Sequence, residues 1–392
     1  MWVRFRHKII FALVRPFFAV YLRLKYGFTA KKYKLAKGPY VLLFNHPTNF
    51  DPFMMAYSIK GPIYFVANDD IFNNPFLAPI IKYLVAPIPK MKAIRDTSVI
   101  RSCIKVVKEG GRIGISPEGN RNYRGRLNHI DKSIVKLIKL LKVPVVLYNI
   151  KGGFGVNPRF SKVVRKGRMY GEISRIISVE EVRDYPEDEL YDIIIKGLDA
   201  DDLTLNRKYR CKARAENLES VFYVCPVCKH HQSLYSKGHY LYCRDCGLKV
   251  EYTEDLRFKT DNEHFSFQSV NDYYCYQEDY IRNSDLKDFA FSDDDIRLRE
   301  IIKHKRRKIL THARLSISPT SLVVYNNEGR EEINLDDIIS MAIIYHNTLV
   351  INLEHHTYQI SGDESFNALK YMHYFNQQKN MKEGTNHGYL GI

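Results

Sequence analysis

Short apolar segments alternate with helical patterns from residue 40 to residue 151, and this alternation limits the folds open to the chain. The segments that read as buried strands are 41–44, 63–67, 112–116 and 145–151. A spacing of three to four residues between Ile, Val, Leu and Met predicts helices over 52–60, 97–109 and 130–141. Such alternation favours an α/β fold with a largely parallel sheet, in which ligands bind at the carboxyl ends of the strands.

Length and charge constrain the organisation of the chain and its partners. A chain of 392 residues predicts two or three domains. The formal charge is +16, and the first fifty residues contain ten Lys or Arg and no Asp or Glu. A basic amino-terminal half favours an anionic partner, which is a phospholipid surface, a phosphorylated substrate or a nucleic acid.

Residues 1–30 combine aromatic, basic and apolar side chains. The longest uncharged runs are Ile9–Val14 and Pro16–Leu22, well short of the ~20 apolar residues that a membrane-spanning helix needs. This composition favours a helix that lies among phospholipid headgroups, with its apolar face buried and its cations at the phosphates. We therefore expect peripheral attachment to the cytoplasmic face of a membrane. The alternative is an amphipathic helix packed on the protein's own core.

His46 and Asp51 lie five residues apart, directly after the first apolar strand. An imidazole at a strand end with a carboxylate behind it is the arrangement of a general base and its orienting partner. A second segment, residues 114–121, follows another predicted strand and offers an anion site for the same pocket. Ordinary structural explanations also exist, since Asp51 followed by Pro52 is a good helix start and a histidine at a strand end can simply be hydrogen-bonded.

Four short blocks in this region carry a family resemblance. They are Asn45–Asp51, Pro87–Lys90, Ser116–Arg121 and Val143–Val146. The first resembles the Asn-His-x-x-x-x-Asp block of the lysophosphatidic acid acyltransferases and of glycerolipid acyltransferases generally. The third is similar to their Phe-Pro-Glu-Gly-Thr-Arg block, and the fourth to Val-Pro-Val-Val. Because all four occur in order and at fitting separations, the resemblance covers about residues 1–200.

The resemblance implies a reaction and a set of site residues. His46 would take a proton from an alcohol while Asp51 orients it. Glu118, Gly119, Arg121 and Lys90 would bind the acceptor, with Arg121 at its phosphate and Glu118 orienting an arginine or a substrate hydroxyl. The donor would be acyl-CoA or acyl-carrier protein, and the acceptor the free hydroxyl of the lysophospholipid 1-acylglycerol-3-phosphate, which gives phosphatidate.

Two departures from the family pattern leave the acceptor open. Asn120 replaces the usual threonine, and Lys90 stands where the family has an arginine, whose planar fork a lysine lacks. A different lysolipid or lipid acceptor is therefore one alternative. A non-catalytic membrane scaffold with a zinc-ribbon binding module is another, although His46, Asp51, Glu118 and Arg121 are all present.

Four of the seven cysteines form two tight pairs. Cys225 and Cys228, followed after fourteen residues by Cys243 and Cys246, have the spacing of a structural Zn²⁺ ribbon over residues 221–252. Free thiols, a disulfide or a rubredoxin-like iron site are the alternatives. No nucleic acid is expected as a partner, because residues 201–300 carry 15 basic and 19 acidic side chains.

From residue 313 the apolar pattern changes to a period of two. A series of short strands with turn signals between them is followed by a helix over 364–376. This pattern resembles small lipid-binding barrels of the pleckstrin-homology kind. The chain is thus divided into an interfacial region (1–30), an α/β acyltransferase domain (31–210), a zinc ribbon (221–252), a mixed connecting region (253–310) and a small β domain with a terminal helix (311–380).

Overall fold

A computed structural model describes residues 2–68, 76–90, 97–302 and 305–384. The chain forms two compact units. The amino-terminal unit comprises residues up to 158 and residues 164–209, and the carboxyl-terminal unit comprises residues 159–163 and the described residues from 210 onward.

The amino-terminal unit is an α/β layer structure. Its helices and strands, in chain order, are α1 (Phe5–Tyr26), β1 (Phe28–Ala30), β2 (Val41–Phe44), α2 (Asp51–Ser58), β3 (Tyr64–Asn68), α3 (Leu77–Leu84), β4 (Ile88–Lys90), α4 (Thr97–Lys108), β5 (Ile113–Ile115), α5 (Ser133–Leu141), β6 (Val145–Lys151), α6 (Gly153–Val156), β7 (Met169–Ile177), α7 (Val179–Asp184) and α8 (Glu187–Leu198).

Seven strands of this unit form one sheet in the order β1-β7-β6-β2-β5-β3-β4. Every neighbouring pair is parallel except β6 with β7, which is antiparallel. The predicted α/β class with a largely parallel sheet is therefore confirmed. Because β2 and β5 are direct neighbours, the residues that follow them meet at one edge of the sheet.

The core of this unit lies against the central strands. All four residues of β2 are buried, as their continuous apolar run predicts for a strand covered on both faces. Cys103 and Val106 of α4 and Ile134 and Ile138 of α5 belong to the same cluster. Their spacing of three and four residues places each pair on one face of its helix.

The charged segment after β7 contains two helices. Its sequence pattern over 179–196 predicts a single helix, and the structure has α7 and α8 with a break at Tyr185 and Pro186. Proline disfavours helical geometry in the residue before it and suits the start of a new helix, which explains the break.

Helix α1 presents most of its apolar side chains to solvent. Only His7, Leu22 and Tyr26 are buried along its 22 residues. One face carries exposed large apolar residues, namely Phe5, Ile9, Leu13, Phe17, Val20 and Leu24. Within the described ranges no helix is both long and apolar enough to cross a membrane.

Among its described residues, the carboxyl-terminal unit contains two antiparallel sheets and two α-helices. Its elements, in chain order, are β8 (Leu234–Lys237), β9 (Tyr240–Cys243), β10 (Lys249–Tyr252), β11 (Phe258–Lys259), α9 (Val270–Arg282), β12 (Ser292–Ile302), β13 (Lys305–Ile317), β14 (Ser321–Asn326), β15 (Gly329–Asn334), β16 (Ser340–Ile344), β17 (Thr348–Asn352), β18 (Thr357–Ser361) and α10 (Ala368–Glu383).

The two sheets follow different orders. The smaller runs β11-β10-β9-β8, and the larger runs β15-β14-β13-β12-β18-β17-β16. The predicted series of short antiparallel strands with a terminal helix is found. Strand β12, however, lies in the segment that was read only as a connection.

Candidate active site and metal centre

The loop that carries His46 begins where the central strand β2 ends. Asn45 is buried there, and its side-chain Oδ1 accepts from the backbone N–H of Ile150 at 2.7 Å. Its Nδ2 donates to the carbonyl of Ile150 at 2.9 Å. The side-chain amide of Asn45 therefore extends the pairing of β2 with β6 beyond the end of β2, and it holds the backbone that leads to His46.

His46 and Asp51 form a hydrogen-bonded pair. The distance from His46 Nδ1 to Asp51 Oδ2 is 2.7 Å. Asp51 is fully buried at the start of α2, whereas the imidazole is 26% exposed. Thr48 holds the other carboxylate oxygen, since its backbone N–H and its hydroxyl both donate to Asp51 Oδ1, at 3.1 and 2.6 Å. The carboxylate is thus fixed before any ligand arrives.

This arrangement selects one tautomer of His46. Because a carboxylate accepts hydrogen bonds, Nδ1 carries the hydrogen and Nε2 presents its lone pair. In the described part of the chain no group bonds Nε2. The ring can therefore receive a proton at Nε2 while Asp51 stabilises the imidazolium that results.

Glu118 lies beneath the His46 loop. It was expected in an anion-binding set, but its side chain is fully buried and faces backbone. Oε1 accepts from the N–H of His46 at 2.7 Å, and Oε2 accepts from the N–H of Asn128 at 2.8 Å. Burial raises the pKa of Glu118 to about 8 against the opposing effect of these two donors. The carboxylate thus joins two loops through their backbones.

Above pH 8, where Glu118 is ionised, replacing it by glutamine is expected to lower the free energy of unfolding by about 1–3 kcal/mol, because one carboxylate oxygen becomes an NH₂ group that faces a buried backbone N–H. Urea denaturation of Glu118→Gln beside wild type measures this. Glu187→Gln is the matched control, since Glu187 is exposed on α8. An equal fall in the free energy of unfolding in both variants, or no fall in Glu118→Gln, would contradict the role given to Glu118.

Arg121 reaches the same loop from the segment after β5. Its Nε donates to the carbonyl of Pro47 at 2.9 Å, and its Nη2 donates to the carbonyl of Asn157 at 2.5 Å. The guanidinium is therefore positioned next to the residue that follows His46. A cation at this place adds positive charge near the imidazole, which favours an anion such as a phosphate or carboxylate.

The two other predicted site residues have different positions. Gly119 adopts a left-handed φ of 63°, as its residue type allows, and its N–H donates to the carbonyl of Ser116 at 3.2 Å. Lys90 ends β4, which lies two strands beyond β5 at the same edge of the sheet. Strand spacing alone puts the end of β4 about 14 Å from that of β2.

Sequence reasoning gave no role to three residues that support the site. They are Asn45, Thr48 and Asn128. Thr48 carried a readable signal, because a threonine three residues before an acidic residue at a helix start is a capping-box pattern. Only half of that pattern forms, because the N–H of Thr48 donates to Asp51 while its hydroxyl accepts from the N–H of Phe50 at 3.0 Å, and the helix itself has Phe50 as its N-cap. The contact of Asn128 with Glu118 has no local sequence signal.

The four paired cysteines come together in the carboxyl-terminal unit. The Sγ atoms of Cys225, Cys228, Cys243 and Cys246 all lie within 4.8 Å of one another. The separations of Cys225 from Cys246 and of Cys228 from Cys243 are both 3.7 Å. Each pair is followed by a residue with left-handed φ, which turns the backbone around the sulfurs. These two residues are Lys229 and Gly247.

These distances suit one tetrahedral metal ion. Thiolates bound to Zn²⁺ at about 2.3 Å in a tetrahedron stand about 3.8 Å apart. All four ligands come from protein, so the site would be closed and structural. The other three cysteines, Cys103, Cys211 and Cys275, lie outside the cluster.

Comparison with known proteins agrees with the site in the amino-terminal unit. The model of the family described as Acyltransferase matches residues 26–151, the range that contains the His46 loop and Arg121. A 1-acyl-sn-glycerol-3-phosphate acyltransferase of Borreliella burgdorferi is 27% identical over 164 residues, which are 40% of this chain and 64% of that protein. The chloroplastic 1-acyl-sn-glycerol-3-phosphate acyltransferase BAT2 of Brassica napus is 25% identical over 140 residues, 36% of this chain and 40% of that one.

Two solved structures were also compared. PlsC, the 1-acyl-sn-glycerophosphate acyltransferase of Thermotoga maritima, matches with a TM-score of 0.40 at 15% identity, over 49% of this chain and 79% of that chain. The N-terminal PH domain of human ARAP2 matches with a TM-score of 0.19 at 16% identity, over 26% of this chain and 84% of that chain.

The curated sequence relatives are matched over less than two thirds of their own length. The family match nevertheless covers the buried strand, the His46–Asp51 pair and the Glu118–Arg121 segment in one continuous range. Residues 26–151 thus match the acyltransferase family, and this range lies within the amino-terminal unit.

Proposed function

We propose that the protein transfers a fatty acyl group from the thioester of acyl-CoA or acyl-carrier protein to the free hydroxyl of 1-acylglycerol-3-phosphate, which gives phosphatidate. The observation that carries this proposal is the His46–Asp51 hydrogen bond of 2.7 Å, with the lone pair of Nε2 available and Arg121 alongside. Both relatives in the curated comparison are named for action on 1-acyl-sn-glycerol-3-phosphate.

The reaction needs a base but no protein nucleophile, because the thioester is already activated. His46 Nε2 accepts the hydroxyl proton as the acceptor oxygen attacks the thioester carbonyl carbon. The new C–O bond forms, the C–S bond breaks, and the leaving thiolate takes the proton from the imidazolium. Asp51 stays ionised and stabilises the cation between these two transfers.

Arg121 is suited to the phosphate of the acceptor. Two of its guanidinium nitrogens are held by the carbonyls of Pro47 and Asn157, so its planar group is preorganised beside His46. Lys90 ends β4, two strands from β5 at the same edge of the sheet, and its contact with the acceptor's phosphate stays a prediction.

A panel of acceptors tests the proposed substrate. Purified protein is mixed with labelled acyl-CoA or labelled acyl-carrier protein and with lysophosphatidate, lysophosphatidylcholine, lysophosphatidylglycerol or glycerol 3-phosphate. Labelled phosphatidate from lysophosphatidate is the expected main product. Faster transfer to another lysolipid would move the assignment to that acceptor, and the absence of any transfer would leave a scaffold role.

The exposed face of α1 supports attachment to an anionic phospholipid surface. Six large apolar side chains share this face, and Phe17 and Leu24 are 77% and 81% exposed. Two cations, Arg6 and Arg23, lie on or beside this face near the two ends of the helix, where they would meet headgroup phosphates. Helix α3, which α1 contacts through Arg6 and Tyr83, adds further exposed apolar residues.

Placing an aspartate on this face is expected to weaken vesicle binding at least tenfold, since each buried apolar side chain contributes about 1.5–3 kcal/mol and a charge adds a desolvation cost. Co-sedimentation of Leu13→Asp and Phe17→Asp with phosphatidylglycerol vesicles measures it. Leu140→Asp, which alters an exposed leucine of α5, is the control and should bind like wild type. Unchanged sedimentation of both α1 variants would show that α1 does not carry the attachment.

The cysteine cluster is proposed to hold one structural Zn²⁺. Elemental analysis of purified protein should give one zinc per chain, and Cys228→Ser should lose it together with a fall in melting temperature, because metal binding stabilises small ribbons. Cys211→Ser, which alters a cysteine outside the cluster, should keep the zinc and the wild-type melting temperature. Iron in place of zinc would change the assigned metal, and no metal in wild type would refute the site.

A further inference from the structure

Helix α2, which begins with Asp51, depends on other segments to complete its carboxyl end. Its last four carbonyls, from Met55 to Ser58, need partners because a helix end leaves them unpaired. The N–H of Ile59 bonds the Met55 carbonyl, and the N–H of Tyr33 bonds the Ser58 carbonyl. The two carbonyls between them are bound by side chains from outside the helix.

Arg15 of α1 supplies most of those bonds. Its Nε donates to the Ala56 carbonyl at 3.0 Å and its Nη2 to the Tyr57 carbonyl at 2.8 Å, while Lys32 Nζ also donates to Tyr57 at 2.9 Å. A guanidinium at a helix carboxyl end donates hydrogen bonds to the unpaired carbonyls, and its positive charge interacts favourably with the negative end of the helix dipole. Arg15 therefore caps the helix that carries the orienting carboxylate.

Aromatic contacts tie the same two helices together. Phe18 of α1 stacks on Phe53 of α2, with ring centroids 3.9 Å apart and planes 16° from parallel. Tyr21 and Tyr26 lie against Phe50, the residue before Asp51, at 5.5 and 5.4 Å. The contacts of α1 thus extend along α2 from its amino end to its carboxyl end.

The face of α1 that bears Arg15, Phe18 and Leu22 lies opposite the exposed apolar face. On a helix with 100° per residue, the exposed set from Phe5 to Leu24 occupies an arc of about 120°, and these three residues lie outside it. One helix therefore meets the proposed lipid surface with one side and α2 with the other.

We propose that Arg15 is a positioning residue through which seating of α1 on phospholipid orders α2 and so fixes Asp51 against His46. The inference rests on the lipid attachment in the proposed function. An eight-residue helix has little stability of its own, so its order depends on its tertiary contacts, among them the Arg15 bonds at its carboxyl end and the stacking of Phe18 on Phe53. When lipid immobilises α1, the guanidinium and aromatic side chains through which α1 contacts α2 are immobilised as well. These contacts then hold α2 in place.

Hydrogen exchange of the full chain tests this without reference to turnover. Phosphatidylglycerol vesicles should slow exchange in peptides covering residues 51–59 by about tenfold in wild type. Arg15→Ala should lose most of that slowing, and Arg15→Lys, which keeps the charge but not the planar fork, should fall between them. Lys8→Ala is the control, because it removes the same charge from α1 at an exposed position and should behave like wild type.

The kinetic readout accompanies the exchange. In vesicles containing the acceptor, Arg15→Ala should lower kcat by about 10- to 100-fold while the KM for the acyl donor stays close to wild type. The proposal would be overturned if vesicles did not slow hydrogen exchange at residues 51–59 in wild type. It would also be overturned if vesicles slowed this exchange in Arg15→Ala as much as in wild type. Vesicle-dependent protection in a wild-type protein without acyl transfer would support the coupling and refute the proposed reaction.

Discussion

Replacing His46 by alanine is expected to lower kcat for acyl transfer by a factor of about 10²–10⁴, the usual contribution of a positioned general base. In the structure His46 Nε2 is available to accept a proton, and Nδ1 is engaged by Asp51. Without the imidazole, solvent must take the hydroxyl proton of the acceptor. Initial rates with labelled acyl donor at saturating lysophosphatidate measure the change.

The fold should survive this substitution. The bonds that shape the loop use the backbone N–H of His46 and the side chains of Asn45 and Thr48, none of which requires the ring. Metal content and melting temperature should therefore match wild type. His355→Ala, which alters an exposed histidine, is the control and should keep full turnover. Wild-type turnover by His46→Ala would remove the base from the mechanism.

Asp51→Asn is the second change with a large expected effect, a fall in kcat of about 10²–10⁴. The asparagine Oδ1 can still accept from the N–H and hydroxyl of Thr48, so the loop keeps its shape. Its NH₂ group would then face His46 Nδ1 and donate to it. That moves the ring hydrogen to Nε2, where the base needs a lone pair.

Steady-state rates and a thermal melt distinguish this tautomer effect from loss of structure. Asp51→Asn should melt close to wild type while its kcat falls. Asp188→Asn removes an exposed carboxylate of α8 and should change neither quantity. If Asp51→Asn kept wild-type kcat, the orienting role of the carboxylate would be refuted.

The α/β sheet could be read from the chain because its strands are short, apolar and regularly separated by helices. Strand β6 has the predicted bounds, Val145–Lys151, and α4 differs from its prediction by one residue at its end. Both signals arise from local periodicity, which the sequence shows directly. The order β1-β7-β6-β2-β5-β3-β4 could not be read, since it depends on contacts distant in sequence.

Strand β12 was missed because its first residues are acidic. Asp293, Asp294 and Asp295 carry no strand signal, and the pairing with β13 shifts register between Asp293 and Ile296. Asp293 is nevertheless largely buried, with Lys370 Nζ 2.7 Å from its carboxylate. The ion pair that makes this acidic residue compatible with a buried position joins segments 77 residues apart.

Part of the candidate site could be predicted from the sequence. His46 and Asp51 lie within one short loop, so their spacing indicated that they could meet. Glu118 was assigned to the acceptor site through the family resemblance, and that role stays a prediction. Its buried side chain accepts from the backbone N–H groups of His46 and Asn128, a contact that local sequence does not reveal. The four cysteines could be grouped from spacing, because each pair forms its own turn.

Acyl transfer by the purified full chain is the most direct test of the central claim, that His46 activates the hydroxyl of a phosphate-bearing lysolipid. Labelled acyl donor is incubated with lysophosphatidate in phosphatidylglycerol vesicles, with wild type and His46→Ala in parallel. The account predicts labelled phosphatidate from wild type and at most about one hundredth of that rate from the variant. Equal rates from the two proteins, or no labelled lipid from wild type with any lysolipid acceptor, would contradict it.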